Sequence, residues 1–238
     1  MTADALADWC RIRERVDWAS AAGEVPTATR TPTPTLTATP IAPAAPTVDG
    51  LVDWCDAGGR ASDPARGERL RAALGRSRTD ASHARPLTCA LLAEWQGLVL
   101  GVPEVAFREG DAFAKGGRER YGLTPRTRPD FERCLRDSAD PRLPPASRAA
   151  RVYLDVAFFH PFPDGNARLA MLALGYVLER EGVRPAQVGP LQTTRYADDA
   201  AGAADLAALV SVLIRIRSTS RHRSTDRGCQ RTGPSLRP

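Results

Sequence analysis

Residues 147–181 read as two apolar helical patterns joined by a Pro- and Gly-rich loop, and this unit constrains the chain more than any other stretch. Val152, Tyr153, Val156 and Phe159 recur at the spacing of one helix face behind Pro144-Pro145 and Ser147. Ala167 to Glu181 is the most apolar helical pattern in the chain, ended by Gly182 and Pro185. Other helical patterns surround this pair. Asp63-Pro64 reads as an N-cap with Pro at the first helical position, ahead of Leu70, Ala73 and Leu74. Thr88 to about Val99 carries Leu91, Leu92, Trp95 and Leu98, and Gly101 and Pro103 break it. Asp130 caps a short helix with Phe131, Cys134 and Leu135, and Asp198 or Asp199 starts a last helix with Leu206, Leu209, Val210, Leu213 and Ile214 aligned. Between them, "EVAFREGDAFAKGG" alternates around a Glu-Gly-Asp turn, which predicts a β-hairpin with Val105 and Phe107 on its first arm. The expected fold class is mainly α, a helical bundle with one β-hairpin.

Charge and composition set the limits of the folded unit. The net charge of the 238 residues is +5. Residues 215–238 hold seven Arg and one Asp, or +6, and residues 1–48 hold four Arg against five acids, or −1, which leaves 5 − 6 + 1 = 0 for residues 49–214. A neutral body argues against a nucleic-acid groove built from excess charge. Residues 1–18 suit a short amphipathic helix with Leu6, Trp9, Ile12, Arg13 and Val16 near one face. Pro26 to Thr47 then has eight Thr, six Pro and five Ala, an extended low-complexity linker. The expected organisation is an N-terminal segment and flexible linker over 1–48, a folded domain over 49–216, and a basic disordered tail over 217–238. Five scattered cysteines without a CxxC favour neither disulfides nor zinc. The charged N-terminus lacks a signal-peptide apolar region, and no apolar run approaches the roughly 20 residues of a spanning helix. These features predict a cytoplasmic protein with no membrane partner. Lys115 is the one Lys, which with the high Ala content points to a GC-rich bacterial genome.

The chemistry-bearing stretch is "FFHPFPDGNARLAM", Phe158 to Met171. Gly165 lets backbone approach a ligand closely. The amides of Gly165, Asn166, Ala167 and Arg168 open a helix and can point at an anion. Arg168 adds a forked cation for phosphate oxygens. Asp164 is a single carboxylate beside that anion site, the arrangement Mg²⁺ takes with substrate phosphates. His160 titrates in the range of a general base at neutral pH. Singly, such a His caps a carbonyl and Asp-Gly-Asn is a turn. Together they point to metal-assisted transfer of a phosphate-containing group to a hydroxyl, with Phe162 as a buried anchor of the loop.

His160-Pro161-Phe162-Pro163-Asp164-Gly165-Asn166-Ala167-Arg168 resembles the Fic (Fic/Doc) family signature His-x-Phe-x-Asp/Glu-Gly-Asn-Gly-Arg-x-x-Arg, and the resemblance extends over roughly residues 50–216. It implies a Fic-type helical bundle with a hairpin flap, and transfer of AMP from ATP to a Ser, Thr or Tyr hydroxyl of a target protein. By that resemblance His160 takes the hydroxyl proton and Asp164 holds Mg²⁺. Gly165, Asn166 and Ala167 form the anion hole, and Arg168 binds a phosphate oxygen, so that the catalytic set is His160, Asp164, Asn166 and Arg168. Val105, Phe107 and Arg108 belong to the flap that aligns the target as an added strand.

The chain departs from the signature twice. Ala167 replaces the second Gly, which a helical backbone tolerates and a positive φ does not. Met171 replaces the second Arg, which in the family grips the γ-phosphate and pairs with an inhibitory Glu. That loss weakens γ-phosphate binding by about 1.5–3 kcal/mol. It leaves open a different nucleotide donor, a Fic-fold phosphotransferase, or a domain that binds nucleotide or protein without turnover. The Ser/Thr-x-x-x-Glu-Gly/Asn inhibitory pattern is missing as well: four residues before Glu109 and Glu181 stand Val105 and Val177. The expected restraint is therefore an antitoxin-like protein in trans, as in toxin–antitoxin pairs, or oligomerisation.

Overall fold

The computed structural model describes residues 4–23, 49–59 and 63–226. The chain runs α1 (Ala5–Arg13), α2 (Trp18–Ala21), α3 (Gly50–Gly59), α4 (Pro64–Ser82), α5 (Cys89–Leu100), β1 (Ala112–Ala114), β2 (Glu119–Tyr121), α6 (Thr127–Asp137), α7 (Pro145–Phe159), α8 (Asn166–Arg180) and α9 (Ala200–Asp226), with a 3-10 turn at Gly189–Gln192. The fold is mainly helical with one small antiparallel hairpin, as the sequence predicts. No helix among the described residues is long and apolar enough to cross a membrane.

Helix α8 is the centre of the core. Every residue from Leu169 to Leu178 is buried, and a helix apolar all round must be covered on all sides. Helix α7 packs along it, α4 and α5 pack against it, and α9 covers the far side of α7. The predicted caps hold at α4, where the Asp63 carboxylate accepts from the Arg66 amide at 3.3 Å, and at α5, where the Thr88 hydroxyl accepts from Leu91 at 3.1 Å. Asp130 lies inside the first turn of α6, whose helix begins earlier, at Thr127.

Residues 4–23, within the stretch expected to stand apart from the domain, are packed into the same core. Leu6, Trp9, Ile12, Arg13 and Val16 are all buried, as the amphipathic pattern implies. At the interface of α1 with α7, Asp155 is completely buried and fully engaged. It accepts from Arg13 Nε at 2.7 Å, Arg13 Nη2 at 3.0 Å and Trp9 Nε1 at 3.0 Å. Trp9 also packs on Phe158, ring centroids 5.1 Å apart, close to the end of α7. The Pro/Thr-rich linker at 26–47 lies outside the described residues. Helix α9 continues to Asp226, into the stretch expected to be a disordered tail, and residues 227–238 lie outside the described residues.

The hairpin stands later in the chain than predicted. Ala112 pairs with Tyr121, Phe113 with Arg120 and Ala114 with Glu119, while residues 104–108 form no strand. Its turn uses consecutive left-handed residues, Lys115 (φ 52°), Gly116 (φ 68°) and Gly117 (φ 84°). Gly-Gly satisfies two such positions without a Cβ penalty, and this outcompetes the single glycine of Glu-Gly-Asp. The buried free thiols of Cys55, Cys89 and Cys134 suit no nucleophilic role. Burial pushes Cys89 up to about 11 and Cys55 to about 12, and raises Cys134 too.

Candidate active site

Helix α7 ends at Phe159, and His160 follows in a left-handed backbone (φ 48°, ψ 54°) that turns the chain out of the helix. Such a conformation is uncommon for a residue with a Cβ and marks a place where geometry is imposed. The imidazole is held twice. Nδ1 lies 3.1 Å from the Ala157 carbonyl, which can only accept, so Nδ1 carries the proton and Nε2 is the free acceptor. One ring face stacks on Tyr121 of β2, with centroids 4.6 Å apart and planes 6° from parallel. Burial holds the His160 pKa below its ordinary value and Arg108 adds to this, against the upward pull of the Ala157 hydrogen bond, Glu119 and Asp164. The neutral, base-competent form therefore prevails at neutral pH.

The loop after His160 is pinned from inside. Phe162 is fully buried. Asn166, itself 2% exposed, grips the Phe162 backbone from both sides: Oδ1 accepts from the Phe162 amide at 3.0 Å and Nδ2 donates to the Phe162 carbonyl at 2.7 Å. Its side chain is thus committed to loop shape, and only its backbone amide faces the helix opening. Gln96 of α5 donates to the Asp164 carbonyl, and the Pro161 carbonyl accepts from the Arg108 amide at 2.9 Å. Gly165 is the N-cap of α8 at φ 76°, and a Cβ there would lie 2.5 Å from Gln96 Nε2. Gly165→Ala is expected to cost about 1–3 kcal/mol in strain and displaced contact. A thermal melt equal to wild type would contradict that reading of the loop.

The opening of α8 leaves fewer free amides than the four predicted. The Gly165 amide donates to Asp164 Oδ1 at 2.6 Å, and the Arg168 amide closes back on the Gly165 carbonyl at 3.0 Å. The Asn166 and Ala167 amides keep no partner among the described residues. Ala167 is helical, so its methyl is accommodated where the signature has Gly. Asp164 is exposed, with Oδ2 at 3.3 Å from Arg168 Nη2. Arg168 faces a cavity of about 410 Å³ whose lining includes Ala167, Met171, Tyr153, Trp54 and Arg66. Burial, and then the charge of Arg66, holds the Arg168 pKa below its usual value.

Val105, Phe107 and Arg108, predicted for the first arm of the hairpin, lie before it. Arg108 is buried and spent on carbonyls, donating from Nη2 to Gly122 at 3.0 Å and to Phe159 at 3.4 Å. Phe107 packs on Phe131, and Val105 is half-buried against the core. The exposed apolar side chain of the hairpin is Phe113, 57% accessible on β1. One end of β2 is bridged by Asp4, through Arg120 and a hydrogen bond from the Gly122 amide at 3.0 Å. Sequence reasoning missed Tyr121, Gln96 and Arg66. The Gly-Gly turn followed by Glu-Arg-Tyr could have placed Tyr121 on a strand. Nothing local separates Gln96 or Arg66 from other helical polar residues.

Comparison with known proteins agrees with this architecture. The profile of the Fic/DOC family matches residues 97–178. The structure of IbpAFic2 covalently tethered to Cdc42 superimposes with a TM-score of 0.52 at 11% identity, covering 87% of this chain and 70% of that one. A Fic domain containing signaling protein from Bacteroides thetaiotaomicron aligns at 22% identity over 65% of this chain and 69% of its own, TM-score 0.48. Fic-1 from C. elegans aligns at 18% identity over 65% of this chain and 53% of its own, TM-score 0.42. No curated protein matches the chain by sequence. The stretch that the Fic/DOC profile matches, residues 97–178, holds the His160 loop and the opening of α8.

Proposed function

We propose that the protein transfers AMP, or another nucleoside monophosphate, from a nucleoside triphosphate to a Ser, Thr or Tyr hydroxyl of a target protein. The observation that carries this reading is the fixed tautomer of His160. Its Nε2 is an open acceptor beside a helix terminus with free amides, so a proton acceptor and an anion site share one loop. The target hydroxyl gives its proton to Nε2 as its oxygen attacks the α-phosphorus. The new O–P bond forms, the bond to the bridging oxygen breaks, and pyrophosphate leaves. The Asn166 and Ala167 amides and the Arg168 guanidinium stabilise the charge on the α-phosphate. Asn166 and Gln96 act as positioning residues. That IbpAFic2 was trapped on a protein partner supports a protein acceptor. Strand β1, with Phe113 exposed, is the hairpin edge to which a target segment adds as a strand.

The residues present fit Mg²⁺. No group of three or more His, Cys, Asp or Glu among the described residues could cage a metal. The exposed Asp164 carboxylate, whose Oδ2 has only a long contact to Arg168, suits an ion that takes one protein oxygen and the rest from phosphates and water. When bound, the ion neutralises phosphate charge. Restraint in trans, by an antitoxin-like protein or by self-association, goes with the missing inhibitory pattern. Growth arrest on expression, relieved by a neighbouring open reading frame, supports it; harmless expression of active enzyme overturns it.

The reading is tested by incubating the protein with Mg²⁺, cell lysate and ATP labelled at either the α or the γ position. Label entering protein from the α position supports it, and label from γ alone identifies a phosphotransferase. The proton acceptor also sets a pH profile. His160 must be neutral to act, so activity falls as pH drops through its depressed pKa. The acid limb of kcat/KM is expected below the ordinary histidine value of about 6.5. Tyr121→Ala opens the ring to water and is expected to move that limb upward. A wild-type limb at or above the ordinary value would show that burial does not tune the base.

A further inference from the structure

Resting on the transfer reading above, we infer that Arg66, reaching in from α4, binds the terminal phosphate of the donor where the signature's second arginine is replaced by Met171. The cavity beside the opening of α8 lies within the size range of small-molecule sites. One wall is Ala167, Arg168 and Met171, and the facing wall is Trp54, Arg66 and Leu70 of α3 and α4. The thioether of Met171, only 1% exposed, gives its wall no cation. Arg66 lines the same cavity, and its charge is felt at Arg168.

The charge arrangement calls for an anion. Arg168 has Asp164 as its partner at 3.3 Å, and Arg69 has Asp63 at 2.8 Å. Arg66 pairs with no carboxylate among the described residues; its contact with Asp63 is through its own backbone amide. The local positive charge is strong enough that Arg66 and Arg69 both depress the pKa of Arg168. Three guanidiniums thus stand against two carboxylates, both at the surface. A polyphosphate running from the α8 amides past Arg168 to Arg66 neutralises this excess by forked, charge-assisted hydrogen bonds. The donor class is accordingly a nucleoside triphosphate, held by its whole phosphate chain, and not a donor with a shortened tail.

Calorimetric titration of the full chain with AMP, ADP and a non-hydrolysable ATP analogue tests this, with Mg²⁺ present and tripolyphosphate titrated in parallel. Wild type is expected to bind the ATP analogue most tightly. Arg66→Gln is expected to weaken that binding roughly 10- to 100-fold, the worth of a charged hydrogen bond, while leaving AMP affinity unchanged. Arg66→Lys, which keeps the charge but not the fork, should recover part of it. Unaltered ATP-analogue affinity in Arg66→Gln overturns the assignment of Arg66 and leaves the transfer reading intact. Failure of wild type to bind any of the three nucleotides overturns the transfer reading and the donor assignment together. Tripolyphosphate binding that depends on Arg66 would in that case still support the anion site. Arg66 lies on an exposed part of α4, and circular dichroism of both variants checks that the helix is kept.

Discussion

His160→Ala is expected to lower transfer to the target by roughly 10²–10⁴-fold while leaving nucleotide affinity near that of wild type. The asymmetry follows from where the side chain is held. The Ala157 carbonyl and the Tyr121 ring occupy Nδ1 and one face of the imidazole, and Nε2 is left without a hydrogen-bond partner among the described residues. The groups proposed to hold the α-phosphate lie at the opening of α8, where Asn166, Gln96 and buried Phe162 set their geometry, and Arg66 lies apart from His160 on α4. Removing the imidazole deletes a proton acceptor without loosening those pins. The affected quantity is therefore kcat, and calorimetric nucleotide binding serves as the control. Equal loss of binding and turnover would mean that His160 supports the loop and does not accept the proton.

The second large effect concerns stability. Asp155→Ala leaves the Arg13 guanidinium, 1% exposed in its side chain, without the carboxylate that accepts two of its donors. It also orphans the Trp9 indole N–H. Breaking a buried pair from one side costs about 3–5 kcal/mol, and the loss here falls at the low end because Arg13 Nη1 keeps Asp137 at 3.1 Å and Glu14 at 3.4 Å. For a chain of this size a loss of about 3 kcal/mol lowers the melting temperature by roughly 6–12 °C. Replacing Arg13 and Asp155 together by apolar residues should recover much of the loss, because neither charge is then stranded. The pair sits at the contact of α1 with α7, so its removal should also release the Asp4 anchor on the hairpin and raise the exposure of Tyr121. A single variant as stable as wild type would show that α1 does not belong to the cooperative unit.

The α7–loop–α8 unit was legible because its signals are local. Apolar spacing, Pro and Gly breaks and a run of phosphate-site residues lie within one stretch, and the caps at Asp63 and Thr88 are equally local. The hairpin was misplaced because two turn sequences compete over a few residues, and the outcome depends on how many glycines take positive φ. The place of residues 4–23 was not legible. Arg13 and Asp155 are 142 positions apart, and neither announces a partner. Asn166 shows a different limit. Its position in the loop was clear, but whether its amide turns inward to Phe162 or outward to a ligand is decided by packing. Arg66 could not be singled out, since its meaning comes from a cavity that α3, α4 and α8 build together.

The central proposal is that this protein joins a nucleoside monophosphate to a protein hydroxyl. Intact-mass analysis of a protein modified in lysate supplied with ATP and Mg²⁺ tests it most directly. The account predicts a gain of one AMP, located on a Ser, Thr or Tyr and absent when His160→Ala is used. A gain of one phosphate alone, or unchanged masses with nucleotide bound, would contradict it.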